Sequence, residues 1–377
     1  MLKTMKYRLR PTKKPAHLLE SQIEECRTLY NHFLEARKRA WEERQESLTY
    51  HQQAVTLPAL KQRCPALAHV HSQVLQHVAV RVDRAFQAFF RRCKAKETPG
   101  FPRWRGPGRY DSFTFPQYGN GCQMAHGLLK LSKVGAVRVV HHRPLEGLPK
   151  TCTIRRSSLR KWYVTIVCEF DPQALPATGE AVGIDVGLLN FATLSTGEST
   201  PCPKFLRRDE KDLKRTQRQL SAATRGTPER RTRRAIVRRV HERIANRRTN
   251  FAHQESRRLV NRFGVLAVED WAVHRMVHNH SLAKSIQDAA WSQFATFLAY
   301  KAVWAGRRCV AVTPAYTSQD CSRCGHRQKK TLAERVHACA CCGLTLDRDH
   351  NAACNILRLG LQSLGRVPRS SGLQAGE

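Results

Sequence analysis

The sequence predicts a multidomain α+β chain: a β-rich domain with an inserted helical pair, then an α/β domain carrying a cysteine-rich insert. Three observations carry that reading. Apolar residues recur at helical spacing over 19–44 and 71–94, yet alternate as in strands on either side. The stretch DPQALPATGE (171–180) has linker composition and separates this region from a second one with its own short buried strands. Five of the 14 cysteines crowd into the segment from Cys321 to Cys342.

Taken in order, residues 1–10 alternate weakly and read as one strand. From Leu19 to about Arg44, Ile23, Cys26, Leu29, Tyr30, Phe33 and Leu34 form one stripe, with Arg37, Lys38 and Arg39 outside it. A second helix is expected from about His71 to Lys94, with Leu75, Val78, Val82, Phe86 and Phe89 inward. These stripes read as the core of a helical hairpin over 11–97. PGFPRWRGPGRYDSFTFP then breaks the helical pattern, and Trp162, Val164, Ile166, Cys168 and Phe170 alternate as a half-buried strand does. Residues 1–10 and 98–172 therefore read as one β-rich domain, split by the helices.

Beyond the linker, AVGIDVG (181–187) reads as a buried strand ending in a turn, with FATLS (191–195) its hairpin partner. Residues 204–258 read as long helices with 19 Lys/Arg against 6 Asp/Glu, held by a thin seam of Ile236, Val240 and Ile244. GVLAVED (264–270) is another short buried strand, and Ser281 to Ala305 a helix with Ile286, Ala290, Phe294, Phe297 and Leu298 inward. CVAVT (309–313) is a last strand before the cysteines. The tail 363–377 has the composition of a disordered end.

Charge narrows the partner. The 65 Lys+Arg against 30 Asp+Glu leave a formal +35, an excess that repels itself unless a polyanion meets it. Nucleic acid is the usual one, an anionic membrane surface the alternative. Hydrophobic residues make up 41% of the chain, enough for real cores. The basic start lacks the apolar stretch of a secretory signal, and no run of about 18 apolar residues occurs. The scattered cysteines then read as reduced thiols in a cytoplasmic protein.

The cysteine cluster is the most specific local signal. Cys321 and Cys324 form C-x2-C; after fourteen intervening residues Cys339 and Cys342 form another, and a glycine follows each pair. Two such knuckles suit one tetrahedral Zn²⁺, and four thiolates leave no open position, so the zinc is expected to be structural. Cys341, inside the second knuckle, is a competing ligand. No G-x4-GK[ST] loop or H-E-x-x-H pattern points to ATP use or a zinc hydrolase.

Three carboxylates form the functional signal. Asp185 closes one buried strand, Glu269 closes another, and Asp349 opens the final helix in DRDHNAACNI. Singly, Asp185 passes for a turn residue and Asp349 for an N-cap. Together, strand–hairpin–helix–strand–helix with acids at those places is the order of RNase H-type folds, where three acids hold two divalent cations that cut a phosphodiester. His350 beside Asp349 is a weaker candidate for a supporting role.

With these motifs in place, the chain resembles TnpB, the RNA-guided nuclease family of bacterial insertion sequences, related to type V CRISPR effectors. GIDVGLLNFATLSTG, VLAVEDWAV and DRDHNAACNI are similar to its three RuvC motifs. TSQDCSRCG with HACACCG is similar to its zinc-binding insert, and KYRLRPTKK, GFPRWRG, RPLEGLPKTCTI and KWYVTI to its opening strand and wedge domain. Asp320 stands where a threonine is more usual there. The resemblance implies a wedge domain (1–10, 98–172), a helical recognition insert (11–97), a RuvC-like nuclease domain (180–314, 346–362) and a zinc-ribbon insert (315–345). It implies Asp185, Glu269 and Asp349 as catalytic ligands of two Mg²⁺, one structural Zn²⁺, and a monomer with a noncoding guide RNA acting on double-stranded target DNA beside a short adjacent motif. A guided DNA-binding repressor without cleavage and a structure-specific resolvase are the competing expectations.

Overall fold

The computed structural model of the chain describes residues 1–270, 280–331 and 334–365. It divides into two compact units, Met1–Asp171 and Pro172–Glu377. Among the described residues no helix is long and apolar enough to cross a membrane.

The first unit is mixed α/β. Among the described residues its sheet has seven strands, and the opening strand β1 (Leu2–Arg10) is a central one. Met5, Tyr7 and Leu9 alternate into the core, as period-2 burial requires. Four helices follow β1: α1 (Lys13–Arg44), α2 (Tyr50–Val55), α3 (Leu57–Arg63) and α4 (Ser72–Lys94). The expected stripes are buried on α1 and α4, with Phe89 only half-buried. The two short helices between them were not legible as periodicity, because six or seven residues give fewer than two turns.

After α4 the chain runs irregularly to β2 (Ser112–Phe115), since prolines and glycines at 99–108 forbid a ladder. That loop is pinned to α1 through Asn31, which exchanges hydrogen bonds with the Arg105 backbone at 2.8 and 2.9 Å. Strands β3 (Cys122–Ala125), β4 (Leu128–Leu131), β5 (Gly135–Val140), β6 (Leu148–Arg156) and β7 (Trp162–Glu169) complete the sheet, in the order β2-β6-β7-β1-β5-β4-β3. The sheet therefore closes across the helices: β1 pairs antiparallel with β7 and β5, strands more than 120 residues away.

The second unit has, among the described residues, a five-stranded sheet of order β10-β9-β8-β11-β12. Strands β8 (Ala181–Asp185), β9 (Asn190–Leu194) and β10 (Ser199–Pro201) form an antiparallel meander; β11 (Val265–Glu269) pairs parallel with β8 on one side and with the edge strand β12 (Arg308–Val312) on the other. Between β10 and β11 lie α5 (Phe205–Arg208), α6 (Glu210–Ala222) and the long α7 (Pro228–Arg262). On α7 Val240 and Ile244 are buried, whereas Ile236 is half-buried.

The single helix expected over 281–305 is two, α8 (His280–Ala289) and α9 (Trp291–Trp304), broken at Ala290 with φ 56°. Residues five apart on one helix point about 140° from each other. The break lets Ile286 and Trp291 both face the core. Phe297 is half-buried and stacks on His253 at 3.9 Å. After β12 come the short hairpin β13 (Val336–Ala338) and β14 (Thr345–Asp347), then α10 (Arg348–Ser363). The expected tail lies from residue 366 on outside the described residues, as do Trp271, Ala272 and Val273 of the motif VLAVEDWAV.

Candidate active site

Strand parity decides where the acids point. Val182, Ile184, Leu266 and Val268 pack with α7 and α9 on one face of the second sheet. Gly183 and Ala267 look to the other face, where α10 lies. Asp185 and Glu269 share that parity, and the parallel register Gly183↔Ala267, Ile184↔Val268 brings their strand ends side by side.

Two small residues bring α10 against this face. A Cβ on Gly183 would collide with the Ala353 carbonyl and stand 2.6 Å from the Leu357 amide. A Cβ on Gly360 would stand 2.5 Å from the Ala267 methyl. Only hydrogens at 183 and 360 let the helix backbone lie this close. The first turn of α10 then reaches the strand ends: the Asp349 Oδ2 lies 3.8 Å from the Cβ position of Gly187, just past β8.

The capping role open to Asp349 is filled by Asp347, whose carboxylate accepts from the Asp349 and His350 amides at 2.9 and 3.2 Å. Asp349 is thereby released from its own helix end. Its Oδ1 accepts from the Arg348 guanidinium at 3.1 and 3.2 Å, and Arg335 stands 4.0 Å from Oδ2. Glu269 accepts the Thr317 hydroxyl at 2.6 Å.

The three acids feel one another. Burial pushes the Asp185 carboxyl well above the usual carboxylate range, and the charges of Glu269 and Asp349 push it further; Arg348 opposes them. A buried acid crowded by two like charges is a donor set that a divalent cation relieves. His350 does not join it. Its Nε2 donates to the Ser195 carbonyl at 3.2 Å and its ring covers Gly197, tying α10 to the β9–β10 turn.

The cysteines behave as their spacing suggests. The Sγ atoms of Cys321, Cys324, Cys339 and Cys342 all lie within 4.8 Å of one another, with 3.6 Å between Cys321 and Cys342 and 3.5 Å between Cys324 and Cys339. A tetrahedron of ~2.3 Å metal–sulfur bonds has edges of about 3.8 Å, so the set fits one ion. The amides of Cys342 and Cys341 help pull the Cys339 thiol down to about 6, favouring the thiolate. Cys341 is exposed and outside the set. Among the described residues these thiols are the one group of His, Cys, Asp or Glu side chains that closes on a point; the three carboxylates are neighbours without forming such a cage.

Sequence reasoning missed the polar residues joining the two centres. Asn351 and Asn355, one turn apart on α10, are 0% and 1% exposed. Asn351 donates to the Asp320 carbonyl at 2.8 Å and accepts from the Ser322 amide at 2.9 Å. Asn355 donates to the Thr317 and Asp320 carbonyls at 2.9 and 2.7 Å. The signal was present: two asparagines at i, i+4 among Ala352, Ala353 and Ile356 must find buried partners.

The basic helices divide in two. Toward the C-terminal end of α7, arginines pair with acids: Arg243 and Arg247 with Asp209, Arg248 with Asp288, Arg258 and Arg262 with Glu198. Nearer its start Arg233 pairs with Glu229, and Arg231, Arg234 and Arg239 are exposed.

Known proteins place the chain. A family model described as "Probable transposase" matches residues 165–280, "Cas12f1-like, TNB domain" matches 291–356, and "Helix-turn-helix domain" matches 1–46. Residues 1–44 here form a strand and one continuous helix. A Streptomyces pristinaespiralis protein named "Putative RNA-guided DNA endonuclease" is 37% identical over 367 residues, covering 95% of this chain and 89% of its own. One from Escherichia coli (strain K12), "Putative RNA-guided DNA endonuclease InsQ", is 30% identical over 378 residues, covering 95% and 92%. The solved structure of the mini-RNA-guided endonuclease CRISPR-Cas_phi3 superposes with TM-score 0.53 at 9% identity, covering 96% of this chain and 92% of that one, a likeness of fold.

Proposed function

This chain belongs to the TnpB-like family of RNA-guided DNA endonucleases, and on that premise we propose that it cuts double-stranded DNA, directed by a noncoding guide RNA, at Asp185, Glu269 and Asp349. The observation that carries the reading is the convergence of these acids at one end of the second sheet, where Glu269 and Asp349 raise the cost of charge on Asp185. The order of that unit is the one expected of an RNase H-like, RuvC-type nuclease, with the cysteine hairpin as its zinc-ribbon insert. The fit to Mg²⁺ rests on an all-carboxylate donor set, hard oxygen ligands for a hard cation.

When bound, two divalent cations would activate the attacking water and stabilise the leaving oxygen. Asp185, at the end of the central strand, would be the ligand they share. Glu269 and Asp349 would each hold one side. The four cysteines would hold one Zn²⁺ with no open position, which makes its role structural. The exposed arginines of α7 would meet phosphates of the guide, giving affinity without reading sequence. A guided binder without cleavage has no need of three converging acids.

The test compares wild type with Glu269→Gln and Asp349→Asn, each purified with guide RNA, for target binding and strand cleavage in Mg²⁺. Binding in all three with cleavage in wild type alone is expected. Wild type that binds its target yet cuts no better than the variants would replace the nuclease reading with that of a repressor.

A further inference from the structure

The loop between β12 and the first cysteine pair touches both centres. At its start Thr317, 5% exposed, donates its single hydroxyl proton to Glu269 Oε1 at 2.6 Å, a far shorter contact than the 3.3 Å to the Pro314 carbonyl. Its own carbonyl is held by Asn355, which also holds the Asp320 carbonyl next to Cys321. Asn351, one turn earlier and two residues from Asp349, grips the same stretch at Asp320 and Ser322. One loop is thus clamped by the helix that carries one acid, hydrogen-bonds a second acid, and leads directly into the thiol centre.

We propose that Thr317 is a positioning residue for Glu269: its hydroxyl fixes the carboxylate plane so that Glu269 meets the cation without first being ordered. This rests on the reading of Glu269 as a metal ligand. A carboxylate at a strand end turns about its terminal torsion with little resistance, because that torsion is broad. A short hydrogen bond from a buried hydroxyl to a charged oxygen removes that freedom and is stronger than a neutral one. Outer hydrogen-bond partners of metal ligands typically change affinity about 10–100-fold.

The experiment measures Mn²⁺ binding to the guide-bound protein by electron paramagnetic resonance, beside target cleavage, for Thr317→Val, Thr317→Ser and Glu269→Gln. Valine keeps the shape and removes the donor; serine keeps the donor. Thr317→Val is expected to weaken Mn²⁺ binding about tenfold and to raise the metal concentration for half-maximal cleavage alike, with guided target binding and zinc content unchanged. Thr317→Ser is expected to stay within about twofold of wild type, since the donor survives. Wild-type Mn²⁺ affinity in Thr317→Val, or equal losses in valine and serine variants, overturns the proposal. If Thr317→Val also loses zinc or target binding, Thr317→Ala, which adds no methyl beside the carboxylate, decides: the same loss there makes the residue a fold contact and overturns the proposal. Glu269→Gln separates the two levels. Full cleavage by it sinks the site reading itself, whereas a dead Glu269→Gln beside a normal Thr317→Val sinks only the positioning role.

Discussion

Replacing Asp185 with asparagine should make the metal-free protein more stable while destroying its activity. Asp185 is held well above the ordinary carboxylate range by burial first, then by Glu269 and Asp349. At the ~4–6 Å over which carboxylates perturb one another, and an effective dielectric of ~20, each like-charge pair costs about 3–4 kcal/mol. Arg348 offsets part of this. A net gain of roughly 1–3 kcal/mol on removing the charge follows. The sign of the pH dependence is fixed by the direction of the shift. A carboxyl whose folded value lies above its unfolded one, about 4, supports the fold fully below that unfolded value. That support is lost as pH rises through the folded value. In EDTA the advantage of Asp185→Asn over wild type should therefore be absent near pH 4 and grow as pH rises. For a unit of this size about 2–4 °C accompanies each kcal/mol, so a Tm gap of about 2–12 °C is expected. Mg²⁺ should raise the wild-type Tm and leave the variant nearly unmoved, because the shared ligand is gone. Guided cleavage should fall at least about 100-fold with target binding kept. A variant less stable than wild type in EDTA at neutral pH, or one stabilised equally by Mg²⁺, would refute the reasoning.

Three further outcomes are expected. Cys339→Ser should lose the roughly one zinc per chain that elemental analysis finds in wild type, while Cys341→Ser retains it; the reverse would make Cys341 the ligand. Gly183→Ala forces a methyl onto the Ala353 carbonyl, so a loss of about 3 kcal/mol is expected in denaturant unfolding. Gly179→Ala, with nothing within 4 Å of its Cβ, should change stability by less than about 0.5 kcal/mol. Arg234→Gln with Arg239→Gln should lower the salt slope of guide binding by about 1–2 without altering target sequence preference. An unchanged slope would leave those side chains as mere solvated charge.

Legibility followed the length scale of the signal. The stripes of α1 and α4 and the alternation of β1 and β7 were read correctly because core burial imposes one period over many residues. The break at Ala290 was invisible, since nothing about an alanine announces φ 56°; only the need to bury Ile286 and Trp291 together explains it. Short elements such as β10 and α2 carry too little pattern to detect. That Asp185, Glu269 and Asp349 come near one another was legible from their positions at element ends, and that the four cysteines cluster was legible from their spacing. The capping role that Asp349 taken singly could have had belongs to Asp347, two residues earlier. Thr317 was hidden for a different reason. Its role depends on a hydrogen bond 48 residues away in sequence, and pairings of that separation leave no periodic trace.

One glycine and two asparagines of α10, with Gly183 of β8, explain why one helix can reach both centres. Gly360 and the strand glycine at 183 set how closely α10 lies on β8 and β11, which fixes the height of Asp349 above the strand ends. Asn351 and Asn355 set what lies against its first two turns, which fixes the loop bearing Thr317. Apolar packing alone would leave α10 able to slide, because a stripe of Ala352, Ala353 and Ile356 fits a sheet at several heights. Paired buried amides are directional, and a slide by one residue would orphan each of them at a cost of about 1–3 kcal/mol. On the proposed reading, two carboxylates that share cations with a third acid on another element tolerate little slack. The polar clamp supplies that precision where hydrophobic contact cannot.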